Sequence, residues 1–286
     1  MNKTTNDNYP EYSEGGKRVS SGKKRKKKQS KAVYYVILLV LLGVLVFSAV
    51  KIISYFKQQS DASNVQQGVL DAFVSPGSTG SSDADASGEG DGTTPTKKDP
   101  DPETIDVDFD SLCAVYPDVV GFIYGANTKV QYPLQHGQGN DYYLNHDLEG
   151  NINNNGSIFI EQVNSSTFSD NNTIIYGHNM KSGLMFADLR NYHTNPQSYY
   201  ASHPYFYIYT PTQNYKMELF AGFVCEHDDE VYATSLTQEQ LERMAAKSDF
   251  KANIGIPTGK TVTLSTCSYE YDNARYVVIG SLVPIS

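Results

Sequence analysis

The chain has 286 residues and a formal net charge of −9. A hydrophobic content of 39% is too high for a wholly disordered chain, and the length suits one or two domains. The acidic total averages two opposed segments. Residues 1–31 hold ten Lys/Arg against Asp7, Glu11 and Glu14, a net of +7, so the other 255 residues carry −16. From Thr104 onward the net is −11, which fits no nucleic-acid partner.

Ala32 to Val50 is a run of 19 residues without a charge. As a helix it rises roughly 28 Å, close to the ~30 Å hydrocarbon thickness of a bilayer. A cleaved signal peptide would usually have a shorter apolar region and a small-x-small cleavage site; here Lys51-Ile52-Ile53-Ser54-Tyr55 follows. The reading is a retained transmembrane anchor over 32–56. The run Lys23–Lys28 precedes the span, and only Lys51 and Lys57 follow it closely. By the positive-inside rule, 1–31 is a cytoplasmic tail and the rest lies outside the cell, with the single span as the contact with lipid.

Residues 57–104 read as a flexible extracellular linker, rich in Ser, Gly, Asp, Thr and Pro and nearly free of apolar residues after Val74. Its aspartates do not form a calcium loop. Residues 105–286 hold the remaining pattern and can bury a core. A short helix is expected over Phe109–Tyr116. Short runs rich in Ile, Val, Tyr and Phe follow at Val120–Tyr124, Ser157–Gln162, Thr173–Tyr176, Tyr205–Tyr209, Tyr215–Cys225, Thr261–Thr266 and Arg275–Val283. Many short strands suggest a mainly β barrel or sandwich. Two helical patches interrupt them, Met185–Tyr192 and Thr237–Ser248, the second with Thr237 as cap.

Three cysteines make no disulfide framework, and no Cys/His spacing suits zinc, so no metal or other cofactor is implied. Gly255–Thr261 resembles a phosphate loop only loosely, with three residues between its glycines and a strand after it. Cys267 stands out. It ends the apolar strand Thr263-Leu264-Ser265-Thr266-Cys267, and the next strand opens with Ala274-Arg275-Tyr276. A connection of that length can bring Cys267 and Arg275 to one rim, where a guanidinium favours thiolate and can hold a developing oxyanion. A cysteine nucleophile also needs a proton donor and acceptor. His178, in Asn172-Thr173-Ile174-Ile175-Tyr176-Gly177-His178, likewise lies just past an apolar strand, with Gly177 expected to free the backbone to turn. His136, His146, His193, His203 and His227 read as surface residues. Cys113 and Cys225 read as small packed hydrophobes; a disulfide between them stays open.

These motifs, NTIIYGHNM, TLSTC and ARYVV in that order, resemble the His, Cys and Arg motifs of the sortases, membrane-anchored cysteine transpeptidases of Gram-positive bacteria. Asn140–Leu144, Ser157–Ile160, Met185–Leu189 and the Thr237–Ser248 helix resemble the class B branch. The resemblance implies a closed eight-stranded barrel with peripheral helices. It further implies that Cys267, His178 and Arg275 are catalytic and that Asn140, Leu144, Tyr176 and Ser265 line the substrate groove. The implied partners are secreted proteins with a C-terminal sorting signal, cleaved at a Thr–X bond, and a peptidoglycan precursor or wall peptide that supplies the accepting amine. A cysteine hydrolase of wall peptides and a non-catalytic wall-binding module are the competing readings. Asn195-Pro196-Gln197-Ser198 resembles a sorting motif but lacks the apolar tail; it is expected to be a loop or helix start.

Overall fold

The computed structural model describes residues 31–76 and 100–285. The basic run Lys23–Lys28 and most of the expected linker lie outside them. Two compact units divide the chain, Met1–Lys51 and Ile52–Ser286. In the first, residues 31–51 are helical and expose apolar side chains on every side, from Val33 to Val50. This is the start of helix α1 (Lys31–Phe73), which is long and apolar enough to cross a membrane.

In the second unit α1 runs beyond residue 56, where the sequence suggests a linker. Val65, Val69 and Phe73 recur at four-residue spacing and give the helix one apolar face. Val69 is fully buried beside Ile105, Leu112, Phe122 and Tyr209. The side-chain amide of Gln66 donates to the Lys129 and Gln131 carbonyls (3.3 and 3.1 Å). Strand β1 (Val74–Pro76) then pairs with β2 (Ile105–Val107). Helix α2 (Phe109–Val115) follows, capped by the Asp108 carboxylate on the Ser111 amide.

Eight strands close the expected barrel: β3 (Val119–Tyr124), β4 (Gln131–Gln135), β5 (Phe159–Ile160), β6 (Asn172–Tyr176), β7 (Tyr205–Tyr209), β8 (Asn214–Cys225), β9 (Thr261–Cys267) and β10 (Arg275–Ile285). Their order around the barrel is β10-β8-β7-β3-β4-β5-β6-β9. Only β4–β5 and β6–β9 are parallel pairs. The interior is apolar, with Ile123, Leu134, Ile175, Leu264 and Val278 all buried. Each such side chain contributes about 1.5–3 kcal/mol by leaving water.

Strand β4 is absent from the runs named in the sequence and carries Pro133, a residue that strands admit only where its missing N–H is not needed. It is tolerated because β5 engages β4 only at Gln135. Short helices surround the barrel: α3 (Asn140–Tyr143), α4 (Asn191–Thr194), which continues the 3₁₀ turn Ala187–Arg190, α5 (Pro196–Ser202) and α6 (Gln238–Ala246). The Asn195-Pro196 pair opens α5, with proline in its first turn. Thr237 caps α6 in a reciprocal capping box with Gln240.

One polar group ties the site-bearing strands together. Asn172, fully buried on β6, accepts from the Thr261 and Thr263 hydroxyls of β9 (3.0 Å each). Its amide donates to the Val231 and Ala233 carbonyls (3.0 and 2.9 Å). Removing it strands the Thr263 hydroxyl and two carbonyls, while the Thr261 hydroxyl keeps the Asn171 carbonyl (3.2 Å); each unpaired group costs about 1–3 kcal/mol. Asn172→Ala is expected to lose at least about 3 kcal/mol in a denaturant titration. A loss below about 1 kcal/mol would show that the strands do not depend on this residue.

Candidate active site

Strand register assembles the site. Tyr176 on β6 lies beside Ser265 on the parallel strand β9, so the chain just past each strand end meets at one rim. The Gly177 amide continues the ladder by donating to the Ser265 carbonyl (3.1 Å). Cys267 pairs directly with Arg275 on β10, and Arg275 pairs on its other side with Cys225 on β8. Because side chains alternate along a strand, Val262 and Leu264 point into the barrel while Ser265 and Cys267 share the outer face. The site is thus built on the outside of the barrel.

The segment between β8 and β9 walls that face. Val231, Leu236, Leu241 and Met244 pack on Phe223, Cys225, Val277 and Ile279. This fixes the turn Glu230–Tyr232, whose end carries the Tyr232 ring. Tyr232 stacks on Tyr176 with ring centroids 6.1 Å apart, and its hydroxyl lies 2.8 Å from Ser265 Oγ.

The resulting groove has a volume of about 290 Å³. Cys267, His178, Arg275, Asn140, Leu144, Tyr176 and Ser265 all line it, so every site residue expected from the sequence comes together in one place. His178 Nε2 donates to the Leu144 carbonyl (3.0 Å), and the Asn179 side-chain amide donates to the Cys267 carbonyl (2.9 Å). Arg275 Nη1 donates to the carbonyls of Asn273 and Ala274 (3.2 and 3.1 Å). Glu161 Oε2 accepts from Asn140 Nδ2 and the Tyr176 hydroxyl (2.9 Å each), while Asn140 Oδ1 accepts from the Gln162 amide. Asn140 and Tyr176 are therefore oriented by one carboxylate.

Gly177, expected to free the backbone to turn, has no left-handed backbone. Space is what requires it: an added Cβ would lie 2.4 Å from Ile158 Cδ1 and 2.7 Å from the Phe186 ring. Sequence reasoning also missed Tyr232 and His227 in the groove and Glu161 behind it. Tyr232 and His227 sit in an acidic stretch with no strand periodicity, and Glu161 acts only through tertiary contact. Cys113 and Cys225 are free thiols in different apolar clusters. Burial pushes the Cys225 thiol up to about 12. Burial, reinforced by the Glu161 carboxylate, also raises the Tyr176 hydroxyl; burial likewise raises Tyr232.

Comparison with known proteins agrees with this geometry. A family model described as the sortase domain matches residues 127–283. Sortase B of Listeria monocytogenes is 37% identical over 175 residues, covering 58% of this chain and 70% of the relative. Sortase B of Staphylococcus aureus is 29% identical over 186 residues, covering 62% and 75%. The solved Staphylococcus aureus sortase B–substrate complex superposes with a TM-score of 0.58 at 28% identity, covering 62% of this chain and 85% of that one. The chain belongs to the sortase family of cysteine transpeptidases. Within that family it is class B-like.

The shifted groups set an alkaline limit. Unfolded Cys and Tyr side chains lose protons near ~8.5 and ~10. Folded Cys225, Tyr176 and Tyr232 retain theirs to higher pH. Stability from these groups is full below about pH 8.5 and falls as pH rises toward 12. Thermal unfolding at pH 8 and pH 10.5 checks this, and an unchanged midpoint would contradict it. At pH 8 iodoacetamide is expected to leave Cys225 unmodified in the folded chain, read by peptide mass.

Proposed function

We propose that Cys267, His178 and Arg275 carry a two-step acyl transfer. The Cys267 thiol passes its proton to His178, and its sulfur attacks the carbonyl carbon of a Thr–X peptide bond in the C-terminal sorting signal of a secreted protein. Arg275 steadies the oxyanion that forms; its Nε and Nη2 make no protein hydrogen bond among the described residues. His178 protonates the leaving amine, the C–N bond breaks, and a thioester to Cys267 remains. An amine of a peptidoglycan precursor or wall peptide then attacks the thioester and gives a proton to His178. His178 returns that proton to the departing Cys267 sulfur, and a new amide joins the protein to the wall. Asn140, Leu144, Tyr176 and Ser265 line the path of the signal peptide.

The observation that carries this reading is the register Cys267↔Arg275 beside the parallel pair Tyr176↔Ser265, which puts the three reactive side chains around one groove. Residues 1–31 act as a cytoplasmic tail, the apolar half of α1 as a membrane anchor, and residues 105–286 as an extracellular catalytic domain on a tether. The basic run before the span supports that orientation.

The test incubates the full-length chain, solubilised in detergent, with a labelled peptide library with and without triglycine as acceptor. Transpeptidation is expected, and Cys267→Ala is expected to abolish it. His178→Ala should lower turnover by about 10²–10⁴-fold. Arg275→Ala should lower it by about 10²–10³-fold, with thermal unfolding unchanged in each variant. Normal turnover in any variant removes that residue from its role. Product that stays hydrolytic whatever the acceptor would instead favour a hydrolase, and binding without turnover would favour a wall-binding module. In intact cells, added protease should digest the segment after the span and spare a tag at the N-terminus; the reverse pattern overturns the orientation.

A further inference from the structure

The connection between β9 and β10, residues 268–274, begins at the residue after Cys267 and ends at the residue before Arg275. Both side chains emerge from its ends. At its far end Asn273 has a left-handed backbone (φ 63°), and the Asn273 and Ala274 carbonyls receive the Arg275 guanidinium. A shift of this connection therefore moves the guanidinium as well as the strand end that holds the thiol. Its tip packs poorly: Tyr269 is 71% exposed and Tyr271 42%.

What holds its near end is a polar cluster outside the groove. Ser268 is buried although polar. Its hydroxyl accepts from Arg190 Nη1 (2.7 Å) and donates to Glu270 Oε2. Arg190 Nη2 pairs with Glu270 Oε1 (2.9 Å), which closes a triangle of three side chains. His193 sits 3.5 Å from Glu270 Oε1 and 2.8 Å from Asp249 Oδ2, and so joins the cluster to the segment after α6. Burial alone would raise the Glu270 carboxyl; the Ser268 hydroxyl, the Glu270 backbone amide and Arg190 outweigh it and hold the group below the usual range. Arg190 and His193 belong to a firm support, since Leu189 and Tyr192 are fully buried in the barrel core cluster. None of these four charged or titratable residues lines the groove.

We propose that Arg190 and Glu270 are positioning residues that clamp the β9–β10 connection and thereby hold Cys267 and Arg275 in reacting geometry. The inference rests on the roles given to those two residues under the proposed function. Loosening the clamp leaves the peptide-lining residues Asn140, Tyr176, Tyr232 and Ser265 in place, so binding and chemistry should respond differently. Misplacing a reacting group by about 1 Å can cost about 10²-fold in rate.

The test uses the full-length chain in detergent and one labelled peptide found active in the library assay, with triglycine as acceptor. Arg190→Ala and Glu270→Gln are expected to lower kcat by about 10–100-fold while KM stays within about threefold. Arg190→Lys keeps charge but not the forked donor geometry and should recover only part of the loss. The double exchange Arg190→Glu with Glu270→Arg should regain at least about tenfold over Arg190→Glu alone. Thermal unfolding of each variant separates loss of positioning from loss of fold. Wild-type kcat in both single variants, or a fall that tracks unfolding with no recovery in the double exchange, overturns the clamp. Cys267→Ala, assayed alongside, tests the underlying reading separately: activity there would remove the nucleophile itself, whatever the clamp variants do.

Discussion

The parallel pairing of β6 with β9 is the constraint on which the site depends. The barrel is otherwise almost wholly antiparallel, and antiparallel neighbours run in opposite directions, so the end of one meets the start of the next. A parallel pair ends at the same rim. Tyr176 beside Ser265 therefore delivers His178 and Cys267, each two residues further on, to one edge. The antiparallel partner of β9 then starts at that edge with Arg275. One parallel and one antiparallel contact on the two sides of a single strand bring an imidazole, a thiol and a guanidinium together from segments about 90 residues apart in sequence.

The same strands need their outer face covered, and the cover forms the groove. Asn172 binds β6 to β9 and, through two carbonyls, to the turn that carries Tyr232. Arg243 on α6 makes a forked contact with Glu230 in that turn (3.2 and 2.8 Å). Packing of Leu241 and Met244 against Phe223 and Val277 fixes the whole segment on the barrel. The wall of the groove is thus no loose loop. It is a second small apolar layer, held by buried polar bonds at its edge, and the stacked tyrosines are its contact with the floor.

Much of this was legible in the chain. Strands with clean alternation, such as Thr261–Cys267, declare themselves, and the distance from Cys267 to Arg275 already suggested a hairpin rim. The cap at Thr237 fixed the start of α6. What stayed hidden has physical causes. Pro133 masked β4 because its tolerance depends on how little of the strand β5 engages. The helical stretch after residue 56 is too polar on most faces to show its apolar stripe until Val69 meets Leu112 and Phe122. Glu161, Tyr232 and Arg190 act on the site only through contacts between segments distant in sequence, which no local period encodes.

The three thiols show how placement alone separates their chemistry. Cys225 and Cys267 occupy register positions on either side of Arg275, on the same face of one sheet. Strands are ~4.8 Å apart, so these two cysteines sit roughly 10 Å from each other at the backbone, beyond the reach of a disulfide. Cys225 lies under the wall segment among Phe223, Val231 and Val277, where burial keeps it protonated. Cys267 ends its strand where that wall stops, and it is half-buried in the groove. A side chain pointing into the barrel would bury this thiol in the same way. Its place on the outer face, at the margin of a cover layer, keeps the guanidinium beside it and leaves the sulfur open to the groove.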